Sequence, residues 1–122
     1  MCGIGGFASC GPVEGAQGLL ERMGAAMIHR GPDDSGNLLA RGGTLSFDGK
    51  PLGSATGLNG ICDTFGLAHR RLAVIDTSVA GRQPMANEDN TLWLAFNGEI
   101  YNFRELRKEL VSRGHTFRSN TD

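Results

Sequence analysis

Residues 2–7 of this chain have the sequence Cys-Gly-Ile-Gly-Gly-Phe and follow directly on Met1. Removal of Met1 would leave Cys2 at the N-terminus, with a thiol and a free α-amine on one residue. An α-amine titrates near pH ~8 and can take the proton of the thiol, and the thiolate is the nucleophilic form of cysteine. Threonine with its own N-terminal amine is a known pair of this kind. The alternative is that Cys2 is an ordinary second residue.

Length, charge and composition indicate one globular domain. The chain has 122 residues, with 12 Lys plus Arg against 13 Asp plus Glu, so that the formal net charge is −1. This balance predicts no nucleic-acid partner and no anionic membrane surface as partner. The sequence shows neither a signal peptide nor an apolar run near the ~20 residues of a transmembrane helix. The 19 glycines predict a β-rich domain with tight turns.

The three cysteines are Cys2, Cys10 and Cys62, an odd number without paired spacing. This usage predicts reduced thiols in a cytoplasmic protein. The histidines are scattered and form no metal-ligand pattern with the cysteines, so we expect no metal site.

Apolar periodicity and turn residues predict alternating strands and helices. We expect strands at residues 2–8 (a buried one), 38–40, 44–47, 65–68, 72–75, 91–96 and 115–118. One helix is expected at residues 14–29. A second is expected from Asn102 to about Arg113, where Asn102 and Glu105 form a capping-box-like pair and Gly114 suits the C′ position. Residues 48–64 are expected to be a polar surface excursion.

Four motifs occur in order along the chain: Cys2-Gly3-Ile4, His29-Arg30-Gly31-Pro32-Asp33, Leu67-Ala68-His69-Arg70-Arg71-Leu72-Ala73-Val74-Ile75-Asp76 and Asn97-Gly98-Glu99-Ile100-Tyr101-Asn102. Together they resemble the glutaminase domain of class II glutamine amidotransferases, of the glutamine-hydrolysing asparagine synthetase type. The resemblance covers nearly the whole chain. Other class II amidotransferases share the Cys2 and Asn-Gly elements, but Pro32 and the residues after Gly98 favour the asparagine synthetase branch.

The resemblance implies an α+β fold, the N-terminal-nucleophile hydrolase sandwich, with two antiparallel sheets between helical layers. Because the family domain runs beyond Asp122, we expect residues 1–122 to be its N-terminal part, with the remaining strands and a synthetase domain absent. The resemblance implies no cofactor for the glutaminase domain, and ATP and Mg²⁺ in the synthetase domain. The implied partners are glutamine and the synthetase domain of the same longer chain, and a homodimer stays open.

The resemblance also assigns the catalytic residues. Cys2 matches the nucleophile that attacks the side-chain amide of glutamine, with its own α-amine as general base once Met1 is removed. Asn97 and Gly98 match the pair that supplies an amide side chain and a backbone N–H to the oxyanion. Taken alone, Asn-Gly is also typical of a type I′ hairpin turn, although the sequence after it predicts a helix rather than a strand.

Three further positions match the residues that hold glutamine. Arg71 matches the residue that grips the α-carboxylate, which a guanidinium can do through two hydrogen bonds. Glu99 and Asp122 match the carboxylates that hold the α-ammonium group. The alternatives are a surface charge at a helix start for Glu99 and an ordinary polar residue for Asp122.

The remaining residues of interest are interpreted as structural. Arg30, Asp33 and Gly36 are expected to shape the turn beside the nucleophile, and Arg70 is expected to be a solvated charge. Cys10 and Cys62 are interpreted as inert thiols. His69 is interpreted as a hydrogen-bonding residue, not as the base of a Cys–His pair.

The sequence thus predicts a glutaminase that supplies ammonia to an ATP-dependent synthetase. A catalytically silent module of the same fold, kept for folding or partner contact, and a different class II amidotransferase are the alternatives.

Overall fold

The structure, a computed structural model, describes residues 1–55 and 60–122. These residues form seven β-strands, two α-helices and a short 3-10 helix at Val79–Gly81. The strands are β1 (Gly3–Ser9), β2 (Asp34–Arg41), β3 (Thr44–Phe47), β4 (Lys50–Ser54), β5 (Thr64–Arg71), β6 (Met85–Ala86) and β7 (Trp93–Leu94). The helices are α1 (Ala16–Ala26) and α2 (Phe103–Ser112).

Five strands form one antiparallel sheet in the order β1-β5-β2-β3-β4, and β6 and β7 form a separate antiparallel pair. Strand β5 is paired on both edges, and its side chains point alternately to the two faces of the sheet. On one face Gly66 lies against Leu20 of α1. On the other face His69 reaches the carbonyl of Phe96. The alternation of β5 therefore separates a helix side of the sheet from a loop side.

Helix α1 covers the helix side of the sheet and forms a small core there. Leu20 is 0% exposed. Its methyl carbon Cδ2 and the ring of Phe7 pack so closely against Gly66 that they leave no room for a Cβ there. Ala16 and Ala68 are buried with it, while Leu38 and Ala40 are buried in β2. The predicted helix is confirmed, although it is shorter than residues 14–29.

The predicted strand at residues 72–75 is wrong, because β5 ends at Arg71. The two neighbouring strands run antiparallel to β5, so their first residues pair with its last ones. Gly3, the first residue of β1, lies opposite Arg70, and Asp34, the first residue of β2, lies opposite Arg71. Backbone groups beyond that point have no strand to pair with. The N–H of Leu72 instead donates to Cys2 Sγ, and the N–H of Ala73 donates to the Asp33 carboxylate.

Strand β1 and helix α2 also differ from expectation. Residues in β1 alternate between buried or half-buried and exposed positions, with Ile4 41% exposed, so β1 is not a fully buried strand. Asn102 is the N-cap residue of α2, but its side chain makes no capping hydrogen bond, and its carbonyl accepts from Leu106 N–H. Gly114 has φ +94° and its N–H donates to the Val111 carbonyl, which confirms the predicted C′ residue.

The predicted strand at residues 115–118 is wrong for the residues that the structure describes. His115 Nδ1 lies 2.9 Å from Glu88 Oε1, the N–H of Thr116 donates to the same oxygen, and Arg118 donates to the Glu88 carbonyl. Side-chain contacts with the β6–β7 turn thus hold this segment in place of a strand ladder.

The predicted combination of helices with antiparallel sheets is confirmed. Within residues 1–55 and 60–122 the second sheet amounts to the β6–β7 pair. All ten residues of α2 are exposed or half-buried. The finer prediction of a sandwich between helical layers therefore stays a prediction. Neither helix of the described part of the chain is long and apolar enough to cross a membrane.

We predict that Leu20→Ala lowers the free energy of unfolding by about 2–5 kcal/mol, because it leaves a cavity between α1 and β5. Val79→Ala is the control, since Val79 is 83% exposed and should change stability by less than about 0.5 kcal/mol. Denaturant unfolding measures both. Equal effects of the two substitutions would contradict the assignment of Leu20 to the core.

Candidate functional site

The six residues that the sequence singles out line one cavity of about 560 Å³. They come from four separate parts of the chain: the N-terminus, the end of β5, the segment between β7 and α2, and the last residue. They are Cys2, Arg71, Asn97, Gly98, Glu99 and Asp122.

Cys2 is half-buried beside the end of β5. Continuing the β1–β5 register by one position places Cys2 opposite Arg71, on the loop side of the sheet. The N–H of Leu72 donates to Cys2 Sγ at 3.3 Å, so the sulfur has a fixed backbone donor. Met1 is 76% exposed and lies at the same cavity. Cys2, Cys10 and Cys62 are all free thiols, as predicted.

Arg71 is 5% exposed and is held by the loop that follows β5. Its Nη1 donates to the Ser78 carbonyl at 2.7 Å, and its Nη2 donates to the Asp76 carbonyl. A guanidinium carries five N–H donors, and these two hydrogen bonds use two of them. Arg71 therefore holds the loop at residues 76–78 in addition to facing the cavity.

Arg70 is not a solvated charge, which corrects the sequence-based interpretation. Its Nε donates to the Gly31 carbonyl at 2.9 Å, and its Nη2 donates to the Pro32 carbonyl at 3.4 Å. Because side chains alternate along β5, Arg70 lies on the helix side of the sheet. The segment that follows α1 passes there, and its backbone carbonyls accept hydrogen bonds from the guanidinium.

Of the three residues expected to shape the turn beside the nucleophile, Asp33 contacts the backbone next to Cys2, whereas Gly36 lies within β2. Asp33 accepts a hydrogen bond from Ala73 N–H at 2.8 Å, and its own N–H donates to the Arg71 carbonyl. A Cβ at Gly36 would collide with the backbone of Gln83. Asp33 and Gly36 therefore act on backbone geometry. Arg30 is exposed, and its N–H donates to the Met27 carbonyl.

Asn97, Gly98 and Glu99 are exposed at the wall of the cavity. They lie between β7, which ends at Leu94, and α2, which begins at Phe103, so Asn97-Gly98 is not a hairpin turn. A Cβ at Gly98 would lie 2.6 Å from the Phe96 ring, which shows how closely the backbone approaches that ring.

Asp122 is fixed by hydrogen bonds at the far wall. Its Oδ2 accepts from Ile100 N–H at 2.8 Å, next to Glu99 in sequence. Arg107 of α2 donates to the carbonyls of Ser119 and Thr121, and Asp76 Oδ2 accepts from Asn120 N–H. The pKa of Asp76 is lowered to about 2 by hydrogen bonds from the Ser78 side chain and from the backbones of Asn120 and Ser78. Asp76 is therefore ionised at neutral pH.

His69 is a structural hydrogen-bonding residue, as the sequence analysis expects. It is 1% exposed, and its Nε2 donates to the Phe96 carbonyl at 3.3 Å. Burial lowers its pKa below the ordinary value of 6.5, and the nearby Arg71 charge adds to this effect. The contacts of Cys2 Sγ are with the Leu72 backbone, not with His69.

Sequence reasoning missed Gln83 and Arg107, which both hold the backbone around the cavity. Neither residue carries a local signal, because each acts on a segment that is distant in sequence. In the described part of the chain, no group of His, Cys, Asp and Glu side chains could hold a metal ion.

Comparison with known proteins identifies the family. Residues 57–122 match the family described as "Glutamine amidotransferase domain". The chain belongs to this family of glutamine amidotransferase domains.

The whole chain also aligns with proteins named glutamine-hydrolysing asparagine synthetases. It is 36% identical to asparagine synthetase 1 of Bacillus subtilis (strain 168), 39% to that of Sandersonia aurantiaca and 38% to asparagine synthetase 1 of Arabidopsis thaliana, each over 100% of this chain. The chain spans 16%, 19% and 17% of these relatives, respectively. No solved structure matches the chain. The resemblance drawn from the four motifs is thus confirmed.

We predict that stability falls as the pH drops below 6.5, in part because of His69. The pKa of His69 is lower in the folded protein than in the unfolded chain. Between the two pKa values the unfolded chain binds a proton at this histidine and the folded protein does not. The contribution of His69 to the free energy of unfolding is fully present above pH 6.5. It decreases as the pH falls from 6.5 to the pKa of the folded protein, by no more than about 1.4 kcal/mol per pH unit.

Denaturant unfolding between pH 8 and pH 5 measures this slope. His69→Gln removes the titrating group and should flatten the slope, whereas His29→Gln, at an exposed position, should not. If His69→Gln leaves the slope unchanged, the ring does not resist protonation in the folded protein.

Proposed function

We propose that this domain hydrolyses glutamine to glutamate and ammonia, with Cys2 as nucleophile. The observation that carries the proposal is the convergence of Cys2, Arg71, Asn97, Gly98, Glu99 and Asp122 on one cavity. All six residues belong to sequence motifs that match the family, and they lie in four separate segments of the chain.

The first half of the reaction forms a thioester. Once Met1 is removed, the α-amine of Cys2 takes the thiol proton, and Sγ attacks the side-chain amide carbon of glutamine. The carbonyl oxygen becomes an oxyanion that accepts hydrogen bonds from the Asn97 side chain and the Gly98 N–H. Collapse of this intermediate breaks the C–N bond, and the protonated α-amine gives its proton to the departing ammonia.

The second half uses one water molecule. The α-amine takes a proton from the water, the resulting hydroxide attacks the thioester carbon, and the C–S bond breaks. Glutamate leaves, and the protonated α-amine returns its proton to the sulfur, which restores the thiol of Cys2. The sum is glutamine plus water to glutamate plus ammonia, and no metal or cofactor takes part.

Charge complementarity supports glutamine as the substrate. The remaining donors of Arg71 suit the α-carboxylate, while Glu99 and Asp122 suit the α-ammonium group. One oxygen of Asp122 already accepts from Ile100 N–H, which holds the carboxylate against the cavity. An amide that lacks either charged group forms fewer of these contacts.

The names of the relatives support a synthetase domain as the recipient of the ammonia. Because they are named glutamine-hydrolysing asparagine synthetases, we place this domain ahead of an ATP-dependent synthetase domain in a longer chain. ATP and Mg²⁺ belong to that domain in this proposal. An N-terminal-nucleophile sandwich completed by further strands, and a cytoplasmic location, are parts of the same proposal.

We predict that Cys2→Ala lowers glutaminase activity to below about a thousandth, because the attacking sulfur is lost. Cys2→Ser should retain little, since a hydroxyl is a much weaker nucleophile at neutral pH. Cys10→Ala and Cys62→Ala are the matched controls and should keep the activity of the parent. Ammonia release from glutamine is the assay. Substantial activity in Cys2→Ala would exclude Cys2 as the nucleophile.

We predict that Arg71→Lys raises the KM for glutamine by about tenfold or more, because an ammonium cannot hold both the loop carbonyls and the α-carboxylate. Arg70→Lys is the neighbouring control. It removes hydrogen bonds to Gly31 and Pro32, so it should lower thermal stability while leaving KM near that of the parent. Steady-state kinetics and thermal melts separate the two. The assignment fails if both substitutions raise KM alike.

A further inference from the structure

The peptide groups of Phe96 are held by two side chains instead of by a strand ladder. Strand β7 ends at Leu94, two residues earlier. The N–H of Phe96 donates to Gln83 Oε1 at 2.5 Å, and its carbonyl accepts from His69 Nε2 at 3.3 Å. Both backbone polar groups of one residue, directly before Asn97, are therefore fixed.

Both side chains that hold Phe96 are anchored to the central sheet. His69 lies in β5, opposite Ile4 of β1 and Gly36 of β2. The backbone of Gln83 packs against Gly36 so closely that no Cβ fits there. Its neighbour Arg82 donates to the Ser35 carbonyl at 2.6 Å and pairs with Asp48 at 2.7 Å. The position of Phe96 is thereby tied to β2 and β5.

The donor and acceptor roles in this arrangement are unambiguous. A carbonyl only accepts, so His69 carries its proton on Nε2, and its buried Nδ1 has no partner among the described residues. Likewise the Phe96 N–H only donates, so Gln83 presents its oxygen and not its nitrogen.

Phe96 in turn determines where the next two residues lie. Its carbonyl belongs to the same planar peptide unit as the N–H of Asn97. Its ring touches the backbone at Gly98. A rotation of Phe96 would therefore move both the Asn97 side chain and the Gly98 N–H.

We infer that Gln83 and His69 form a clamp on Phe96 that positions Asn97 and Gly98 as oxyanion donors. This inference rests on the proposed glutaminase function. Gln83 lines the cavity, but its Oε1 is occupied by the Phe96 N–H, and His69 Nε2 is occupied by the Phe96 carbonyl. Both act through Phe96 and are therefore positioning residues in this inference.

Oxyanion donors act in the transition state, so a loosened clamp lowers kcat and kcat/KM together. Arg71 is held by the carbonyls of Asp76 and Ser78 and not by Phe96, so we expect glutamine binding through Arg71 to be preserved.

Substitution of Gln83 tests the clamp. Gln83→Leu removes the acceptor at similar volume, and we expect kcat for glutamine hydrolysis to fall about 10- to 100-fold with KM changed less than about twofold, since loss of a whole oxyanion donor costs ~10²–10³. Gln83→Glu keeps an acceptor at the same reach and should restore most of kcat. Gln17→Leu, on α1, is the matched control and should leave kcat unchanged.

A double substitution shows whether the two residues act as one unit. His69→Leu should lower kcat like Gln83→Leu, and the pair together should cost little more than the worse single substitution. If Gln83→Leu does not fold, Gln83→Ser carries the same expectation, because its hydroxyl does not reach the Phe96 N–H.

The outcomes separate the clamp from the proposed function. If the parent protein releases no ammonia from glutamine, the proposed function fails and the clamp with it. If the parent is active and folded Gln83 variants keep kcat, or lose activity through KM alone, the clamp is wrong while the proposed function stands. Fully additive losses in the double variant also contradict a single clamp.

Discussion

The pairing of β5 with β1 on one side and β2 on the other determines where Cys2 and Arg71 of the candidate site lie. Because side chains alternate along a strand, this pairing sends Arg70 to the α1 side and sends His69 and Arg71 to the loop side. The same register brings Cys2 opposite Arg71. The nucleophile and the buried cation are thus neighbours because of backbone hydrogen bonds, before any side-chain contact is considered.

Beyond β5 the backbone has no strand partner, and side chains take over the role of the ladder. Arg71 donates to the carbonyls of Asp76 and Ser78, Asp33 accepts from Ala73, and Gln83 accepts from Phe96. A loop built in this way can stay ordered without being part of a sheet, because its buried polar groups are satisfied. Arg71 has two roles in this arrangement, because its side chain lines the cavity and also holds the loop that follows β5.

The sequence was informative where the signal is local. The position of Cys2 and the glycine that ends α2 were predictable because each depends on a few adjacent residues. The strand expected at residues 72–75 was wrong, since strand formation depends on partners that end at Gly3 and Asp34.

Contacts between distant residues were not predictable from one sequence. Arg70 looked like a surface charge because its acceptors, Gly31 and Pro32, lie 39 and 38 residues away. Gln83 and Arg107 carried no motif at all, although they hold the segments that present Asn97 and Asp122. The six site residues came from family motifs, whereas the side chains that support them became visible only in the fold.

The central claim, that Cys2 attacks a glutamine bound in this cavity, is tested most directly by covalent labelling with a glutamine analogue that carries a chloromethyl ketone in place of the side-chain amide. Cys2 Sγ displaces chloride from this group and forms a stable thioether. Mass spectrometry of the digested protein locates the adduct. The account predicts a single adduct on a peptide that begins with Cys2 and lacks Met1, formed more slowly in the presence of glutamine. Equal labelling of Cys10 or Cys62, or labelling that glutamine does not slow, would contradict it.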